Sequence, residues 1–346
     1  MGGGARTARP GHQPLRTPEL EDAYRRTDLS QPGPPGDDIL PARPAEGRGR
    51  TGGAAGDQIK TGGRTLEDST GKKAILIAAF GTSYPEVRRA AIDPIVEKTR
   101  LRYPGYELRL AYTSEMIIRK LKERDGVLID NPLEALARLR EDGFDTVVIQ
   151  PLHIVPGYEW KKVARAIRRH RPGFSRLALG RPLLFFSRGE STPDDYGAAV
   201  EALRTQLPPP TPEQAVLLMA HGSTDPANAC YVCFARVLRE SGLERVMLAS
   251  VEGYPTLEDI EDELKADNIE KITLMPFMLV AGDHAINDMA GEEEDSWKRR
   301  LQREGYQVEA VLLGLGENEG FQEIYLRHIQ DAIDGTYDRY LAMDLD

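Results

Sequence analysis

From Lys72 onward, short unbroken apolar runs alternate with longer segments whose apolar residues recur every three to four positions. An unbroken run such as Ala74 to Phe80 is the signature of a parallel strand covered on both faces, and the three-to-four spacing is that of an amphipathic helix. The pattern predicts strands over 74–80, 108–112, 146–154 and 177–185, with helices over 85–102, 115–124, 132–141, 160–170 and 193–206. Leu207 to Pro212, with Pro208, Pro209 and Pro210 in a row, reads as a linker. The order then repeats, with strands over 215–220, 245–251, 271–280 and 307–313 and helices over 226–241, 256–266, 284–303 and 320–333. Repeated strand–helix units predict parallel sheets with right-handed crossovers. The expected fold class is α/β, with two similar doubly wound parallel-sheet lobes, an N-terminal one over 72–210 and a C-terminal one over 211–346. Residues 1–71 differ in kind. They are rich in Gly, Pro and Arg, as in Gln31 to Gly36 and Gly47 to Gly53, and hold no period. Such a segment cannot bury enough surface to offset its ordering entropy, so it reads as a disordered leader.

The two halves also repeat in sequence. Ala74-Ile-Leu-Ile-Ala-Ala-Phe80-Gly81-Thr82-Ser83 corresponds to Ala215-Val-Leu-Leu-Met-Ala-His221-Gly222-Ser223-Thr224. Pro151-Leu-His-Ile-Val-Pro-Gly157-Tyr-Glu159 corresponds to Pro276-Phe-Met-Leu-Val-Ala-Gly282-Asp-His284. The second copy has a histidine where the first has Phe80, and another where the first has Glu159. In doubly wound sheets, ligands sit at the carboxyl ends of the strands. The duplication therefore predicts a cleft between two matching lobes whose chemistry is concentrated on one wall.

Composition narrows the partners. The 346 residues carry a net charge of −10 at neutral pH, which disfavours nucleic acid and anionic membrane surfaces as partners. An anionic ligand would need a local basic patch, for which Arg119, Lys120, Lys161 and Lys162 stand near the cleft mouths. No apolar run approaches the ~20 residues of a membrane span, and no apolar core follows the N-terminal arginines as in a secretory signal. The expectation is a cytoplasmic protein. Cys230 and Cys233 are its two cysteines, so there is no disulfide framework, and a lone CxxC on a predicted helix is a weak redox or cluster signal.

Strand ends of the second half present His221, Glu252 and His284 from three different strands. Imidazole plus carboxylate suits Co²⁺, Ni²⁺, Fe²⁺ or Zn²⁺, and three protein ligands leave positions open for substrate. None of these residues forms a short-range metal motif, and each alone reads as a hydrogen-bonded or surface residue. It is their joint placement that points to an ion. The first half presents Phe80, Thr82, Ser83, Ser114 and Glu159. The hydroxyls of Thr82 and Ser223 read first as caps of the helices that follow. His153, inside an apolar strand, reads as a satisfied core residue, and His328 as a helix-face residue. Glu292 to Asp295 reads as a solvated helix face.

Phe80-Gly-Thr-Ser83, Thr113-Ser-Glu-Met-Ile-Ile-Arg-Lys-Leu121, His221-Gly222 and Leu279-Val-Ala-Gly-Asp-His-Ala-Ile-Asn-Asp-Met289 resemble the anaerobic sirohydrochlorin cobaltochelatases of the CbiK type. The resemblance runs from about Lys72 to the C-terminus and leaves the leader uncovered. It implies a class II chelatase fold and ATP-independent insertion of Co²⁺ into sirohydrochlorin, early in the anaerobic route to cobalamin. Cobalt is then a substrate metal and no organic cofactor is implied. It also implies that His221, Glu252 and His284 bind the metal, with one of the two histidines accepting a proton from the macrocycle. Phe80, Thr82, Ser83, Ser114 and Glu159 of the other lobe would hold the tetrapyrrole. A sirohydrochlorin ferrochelatase or nickel chelatase shares the same ligand types, and a non-catalytic metal or tetrapyrrole carrier is the alternative of another class. The oligomeric state stays open, a homo-oligomer included.

Overall fold

The computed structural model describes residues 71–266 and 269–342. The disorder expected for 1–71 lies, but for Gly71, outside these residues. Eight strands form two four-stranded sheets, ordered β2-β1-β3-β4 and β6-β5-β7-β8, with every adjacent pair parallel. The first comprises β1 (Lys72–Ala79), β2 (Glu107–Tyr112), β3 (Phe144–Pro151) and β4 (Arg176–Leu179). The second comprises β5 (Gln214–Gly222), β6 (Val246–Glu252), β7 (Lys271–Pro276) and β8 (Gln307–Ala310). The strand order is identical in the two halves, as the sequence repeat requires.

Both sheets are buried on both faces, and the pleat sorts their side chains. Ile75, Ile77 and Ala79 of β1 and Val216, Leu218 and Ala220 of β5 enter one core shared by the two sheets. Ala74, Leu76 and Ala78 point the other way, into a core covered by α4 (Pro132–Glu141) and α5 (Tyr158–His170). Ala215, Leu217 and Met219 enter a third core under α8 (Leu257–Ala266) and α9 (Trp297–Arg303). Successive strand side chains alternate between faces, so a continuous apolar run fills two cores at once.

The remaining helices are α1 (Pro85–Ala91), α2 (Asp93–Arg102), α3 (Glu115–Asp125), α6 (Asp195–Arg204), α7 (Ala229–Glu240), α10 (Glu319–Asp334) and α11 (Asp338–Ala342). The single helix expected over 85–102 breaks at Ile92, because Pro94 supplies no N–H and crowds the preceding turn. Strands β3, β4 and β7 stop short of their predicted ends. Pro151 and Pro276 close two of them, and Gly180 with Pro182 follows the third. Over 284–303 there is no single helix: a π-helix, His284–Met289, is followed by an irregular turn and then α9.

Helix α10 belongs to the second half in sequence but packs on β3, β4, α2 and α6 of the first. The Tyr325 hydroxyl donates to the Leu152 carbonyl at 3.1 Å, Tyr103 donates to the Leu326 carbonyl at 3.1 Å, and Arg176 reaches the Ala332 and Ile333 carbonyls. His328, on the face of α10 that packs inward, sits inside this junction. It is buried between Asp195 and the Arg181 carbonyl.

His153 is buried, with Nε2 on the Thr113 hydroxyl at 3.1 Å and Nδ1 without a hydrogen-bond partner among the described residues. Burial lowers its pKa to about 3, and burial also lowers that of His328 against the opposing pull of Asp195. The unfolded chain takes up these protons near pH 6.5 while the folded protein does not, so falling pH favours unfolding. Between pH 6 and 5 the unfolding free energy should fall by about 1.2 kcal/mol on account of His153. Urea titrations should show that slope reduced in H153Q, and equal slopes in the two proteins would contradict the assignment.

Candidate functional site

Strand β5 ends in His221-Gly222, and its neighbour β6 ends in Glu252-Gly253. Both glycines have positive φ, 76° and 88°. A Cβ on Gly222 would lie 1.6 Å from the Glu252 carbonyl oxygen, and one on Gly253 would lie 2.6 Å from the Ser223 carbonyl oxygen. The two strand ends thus press backbone to backbone, which only glycine allows. Neither Thr82 nor Ser223 caps a helix. Each hydroxyl accepts an N–H two residues on, from Tyr84 at 3.2 Å and from Asp225 at 3.0 Å, forming small turns that hold the loop tips. Ser114 does cap α3, accepting weakly from Ile117 N–H at 3.4 Å.

On the other side of β5, the chain leaves β7 through Gly282 and enters the π-helix at His284. The ring of His284 meets that of His221 edge to face, with centroids 4.8 Å apart. Phe80, at the end of β1 in the opposite lobe, lies 6.2 Å from His221 and is 37% exposed. Two strand ends of one sheet and one of the other therefore meet at a single point.

The histidine tautomers follow from their partners. Nδ1 of His221 lies 3.0 Å from the Gly222 carbonyl, which can only accept, so Nδ1 carries the proton. Nδ1 of His284 lies 2.5 Å from Asp288 Oδ2, and donation to that carboxylate assigns its proton in the same way. Both rings keep an Nε2 lone pair for a cation.

Glu252 stands next to His221 in strand register, across the Gly222↔Glu252 pair, with its side chain exposed. Among the described residues, no three His, Cys, Asp or Glu side chains converge tightly enough to hold an ion. The structure brings His221 and His284 together and leaves the Glu252 carboxylate outside their contact.

In the opposite lobe, Thr82, Ser83 and Ser114 are buried at the ends of β1 and β2. Glu159 lies on the first turn of α5. Lys162 Nζ binds its Oε1 at 2.7 Å and the Thr113 carbonyl at 3.0 Å, while Oε2 is buried without a partner among the described residues. Beside the histidine pair, two of the bridges between the lobes stand close to the strand ends. Tyr84 donates to Asp283 Oδ1 at 2.8 Å, and Lys161 donates to Asp225 Oδ2 at 2.7 Å, where the Asp225 side chain is 1% exposed. Lys120 lies 5.9 Å from the centre of the Tyr84 ring. The basic residues near the cleft are thus partly engaged by the protein itself. Glu292 is held in the same way, by Lys298 and Arg299. Cys230 and Cys233 are free thiols on α7, and burial raises the pKa of both, which makes them poorer nucleophiles.

Sequence reasoning did not anticipate Asp288 or Tyr84 as contributors. The i,i+4 spacing of Asp288 from His284 was the available signal for the first.

Comparison with known proteins adds four findings. The family described as cobalt chelatase (CbiK) matches residues 73–334. A sirohydrochlorin cobaltochelatase of Salmonella typhimurium is 40% identical over 262 residues, covering 76% of this chain and 97% of its own. One of Nitratidesulfovibrio vulgaris, described as sirohydrochlorin cobaltochelatase CbiKC, is 34% identical over 274 residues, covering 77% and 93%. Among solved structures, SirB from Bacillus subtilis with Fe³⁺ shares the fold at 15% identity, with a TM-score of 0.53 over 78% of this chain and 98% of its own.

Proposed function

The chain belongs to the cobalt chelatase family CbiK, and from this we propose that it inserts Co²⁺ into sirohydrochlorin without ATP, in the anaerobic synthesis of cobalamin. The observation that carries the reading is the His221–His284 pair, two rings 4.8 Å apart at adjacent strand ends. Their assigned tautomers leave both Nε2 atoms available. Imidazole nitrogen suits a borderline cation such as Co²⁺, which is a substrate here and leaves with the product.

His221 and His284 present the ion, and Glu252, exposed on the next strand, supplies a carboxylate to it. Insertion releases the pyrrole N–H protons of the macrocycle. One of the two imidazoles, its Nε2 freed as the cation passes to the macrocycle, accepts one of these two protons, and solvent takes the other. Phe80 offers an aromatic face to the tetrapyrrole from the opposite wall. Thr82, Ser83, Ser114 and Glu159 line that lobe's strand ends and hold the macrocycle there. Sirohydrochlorin is rimmed with carboxylates, which Arg119, Lys120, Lys161 and Lys162 meet at the cleft mouths.

A flat ring stacked between Phe80 and His221 needs about 7 Å, two contacts of about 3.5 Å each. The observed 6.2 Å is shorter, so entry requires Phe80 to turn or the lobes to part. The Tyr84–Asp283 and Lys161–Asp225 bridges, close to the strand ends, are among the bonds that such parting would strain. A cytoplasmic location is part of the same proposal. Among the described residues no helix is long and apolar enough to cross a membrane, and the two free cysteines suit a reducing compartment.

The test is direct. Purified protein is mixed with sirohydrochlorin and with Co²⁺, Fe²⁺ or Ni²⁺ in turn, and the absorbance change is followed against a protein-free control. Faster conversion with Co²⁺ is the expected result. Faster conversion with Fe²⁺ or Ni²⁺ alone would assign another metal, and binding without acceleration would make the protein a carrier.

A further inference from the structure

We propose that Asp288 is a positioning residue for the metal site, fixing the ring of His284 so that Nε2 faces the incoming cation. The proposal rests on the reading of His284 as an ion ligand and adds to it a carboxylate that the ligand set does not include.

Three observations carry it. First, Asp288 Oδ2 lies 2.5 Å from His284 Nδ1, a distance at which the carboxylate takes the Nδ1 proton's hydrogen bond and fixes the tautomer. Ligating histidines commonly hold their second ring nitrogen on a carboxylate or carbonyl, which orients the ring. His221 meets the same need with the Gly222 carbonyl at 3.0 Å.

Second, the backbone under the pair is a π-helix, closed by Ala290 N–H donating to the Ala285 carbonyl at 3.2 Å. Such turns are rare and concentrate at functional sites. This one is pinned into the core by buried Ala285 and Met289, so His284 and Asp288 rise from a fixed base.

Third, the internal repeat supplies a comparison within one chain. At the 125-residue offset that aligns Gly157 with Gly282, His284 corresponds to Glu159 and Asp288 to Val163, a buried core residue. The first copy holds its carboxylate, Glu159, with a cation, Lys162, at 2.7 Å. The second copy has Asn287 at the place of Lys162 and an acid one residue further on. Where the functional group changed from carboxylate to imidazole, its partner changed from ammonium to carboxylate. A solvent-facing aspartate with no task would not be expected to track that exchange.

The experiment uses the full chain and Co²⁺ alone as probe, with affinity read by calorimetry and by the visible absorption of bound Co²⁺. Steady-state insertion is measured alongside. D288A should weaken Co²⁺ binding and raise KM for Co²⁺ by about 10–100-fold, the usual cost of losing such an outer partner. KM for sirohydrochlorin and the melting temperature should stay at the parent values. D288N, whose amide oxygen still accepts from Nδ1–H, should recover most of the affinity. A parental KM for Co²⁺ in D288A, or a D288N variant as impaired as D288A, would overturn the proposal. H284A separates the two levels. If H284A binds Co²⁺ as the parent does, the ligand reading fails and this proposal with it. If H284A loses binding while D288A does not, only the positioning role fails.

Discussion

Replacing His284 by alanine is expected to abolish cobalt insertion while leaving the fold intact. The side chain is 34% exposed and rises from a π-helix whose core anchors, Ala285 and Met289, the substitution does not touch. Among the described residues its side chain meets the Asp288 carboxylate and the ring of His221. Little packing is lost, so the melting temperature should move by no more than a surface substitution moves it, within about 0.5 kcal/mol. Function should respond on another scale. An outer partner of a ligand is worth about 10–100-fold, so loss of the ligand itself should cost at least 100-fold in the rate of metal insertion. H221A should behave alike, because each ring offers one Nε2. Assays at saturating sirohydrochlorin with Co²⁺ varied would settle it, and near-parental turnover in H284A would remove the metal-site assignment.

The second large effect is on stability. Arg181 is 4% exposed, and Asp195 3%. The guanidinium forks onto both Asp195 oxygens at 2.9 to 3.1 Å and reaches Asp331 of α10 at 2.7 Å. It also lies 5.6 and 4.9 Å from the ring centres of Phe186 and Tyr337. Burial pushes the Asp195 carboxyl up, but hydrogen bonds from His328 and Arg181 and the charge of the guanidinium outweigh it and hold the pKa lowered. R181M keeps the apolar stem and removes the cation, leaving a buried carboxylate with Phe186 N–H at 3.0 Å and His328 at 3.4 Å as its remaining contacts. Breaking such a pair should cost about 3–5 kcal/mol. Urea unfolding should show it, and the double variant R181M/D195N, which removes the stranded charge, should recover part of the loss. A cost below about 1 kcal/mol in R181M would mean that solvent reaches the pair.

Much of this was legible in the chain. The apolar runs marked all eight strands, and the repeat anticipated that both sheets would have the same order. Strand-end position placed His221 and Glu252 at the ends of the neighbouring strands β5 and β6, and His284 beyond β7, where the structure has a π-helix. What escaped depends on backbone detail that periodicity averages out. Pro94 splits a helix whose apolar spacing runs straight through Ile92. Residues 284–289 carry helical spacing in either pitch, so the π-turn, and with it the partnership of His284 and Asp288, could not be seen. Tyr84 and Asp283 are 199 residues apart and meet only because the two lobes face each other. His328 reads only as a helix-face residue, because nothing local says which sheet that face will cover. The exposed Glu252 carboxylate illustrates the reverse limit. Register fixes its backbone beside His221, while the side chain stays outside the histidine contact.

The crossing of α10 onto the first sheet also has a consequence in time. A ribosome delivers β1 to β4 long before it delivers residues 319–334. At roughly 5–20 residues per second the interval is roughly 8–30 s. Throughout it, Ile75, Ile77 and Val148 lack the Tyr325 and Ile329 side chains that complete their core in the finished protein. The duplicated halves therefore do not mature one after the other. The first half waits for helix α10 of the second, and its core is completed only after residues 319–334 have been delivered.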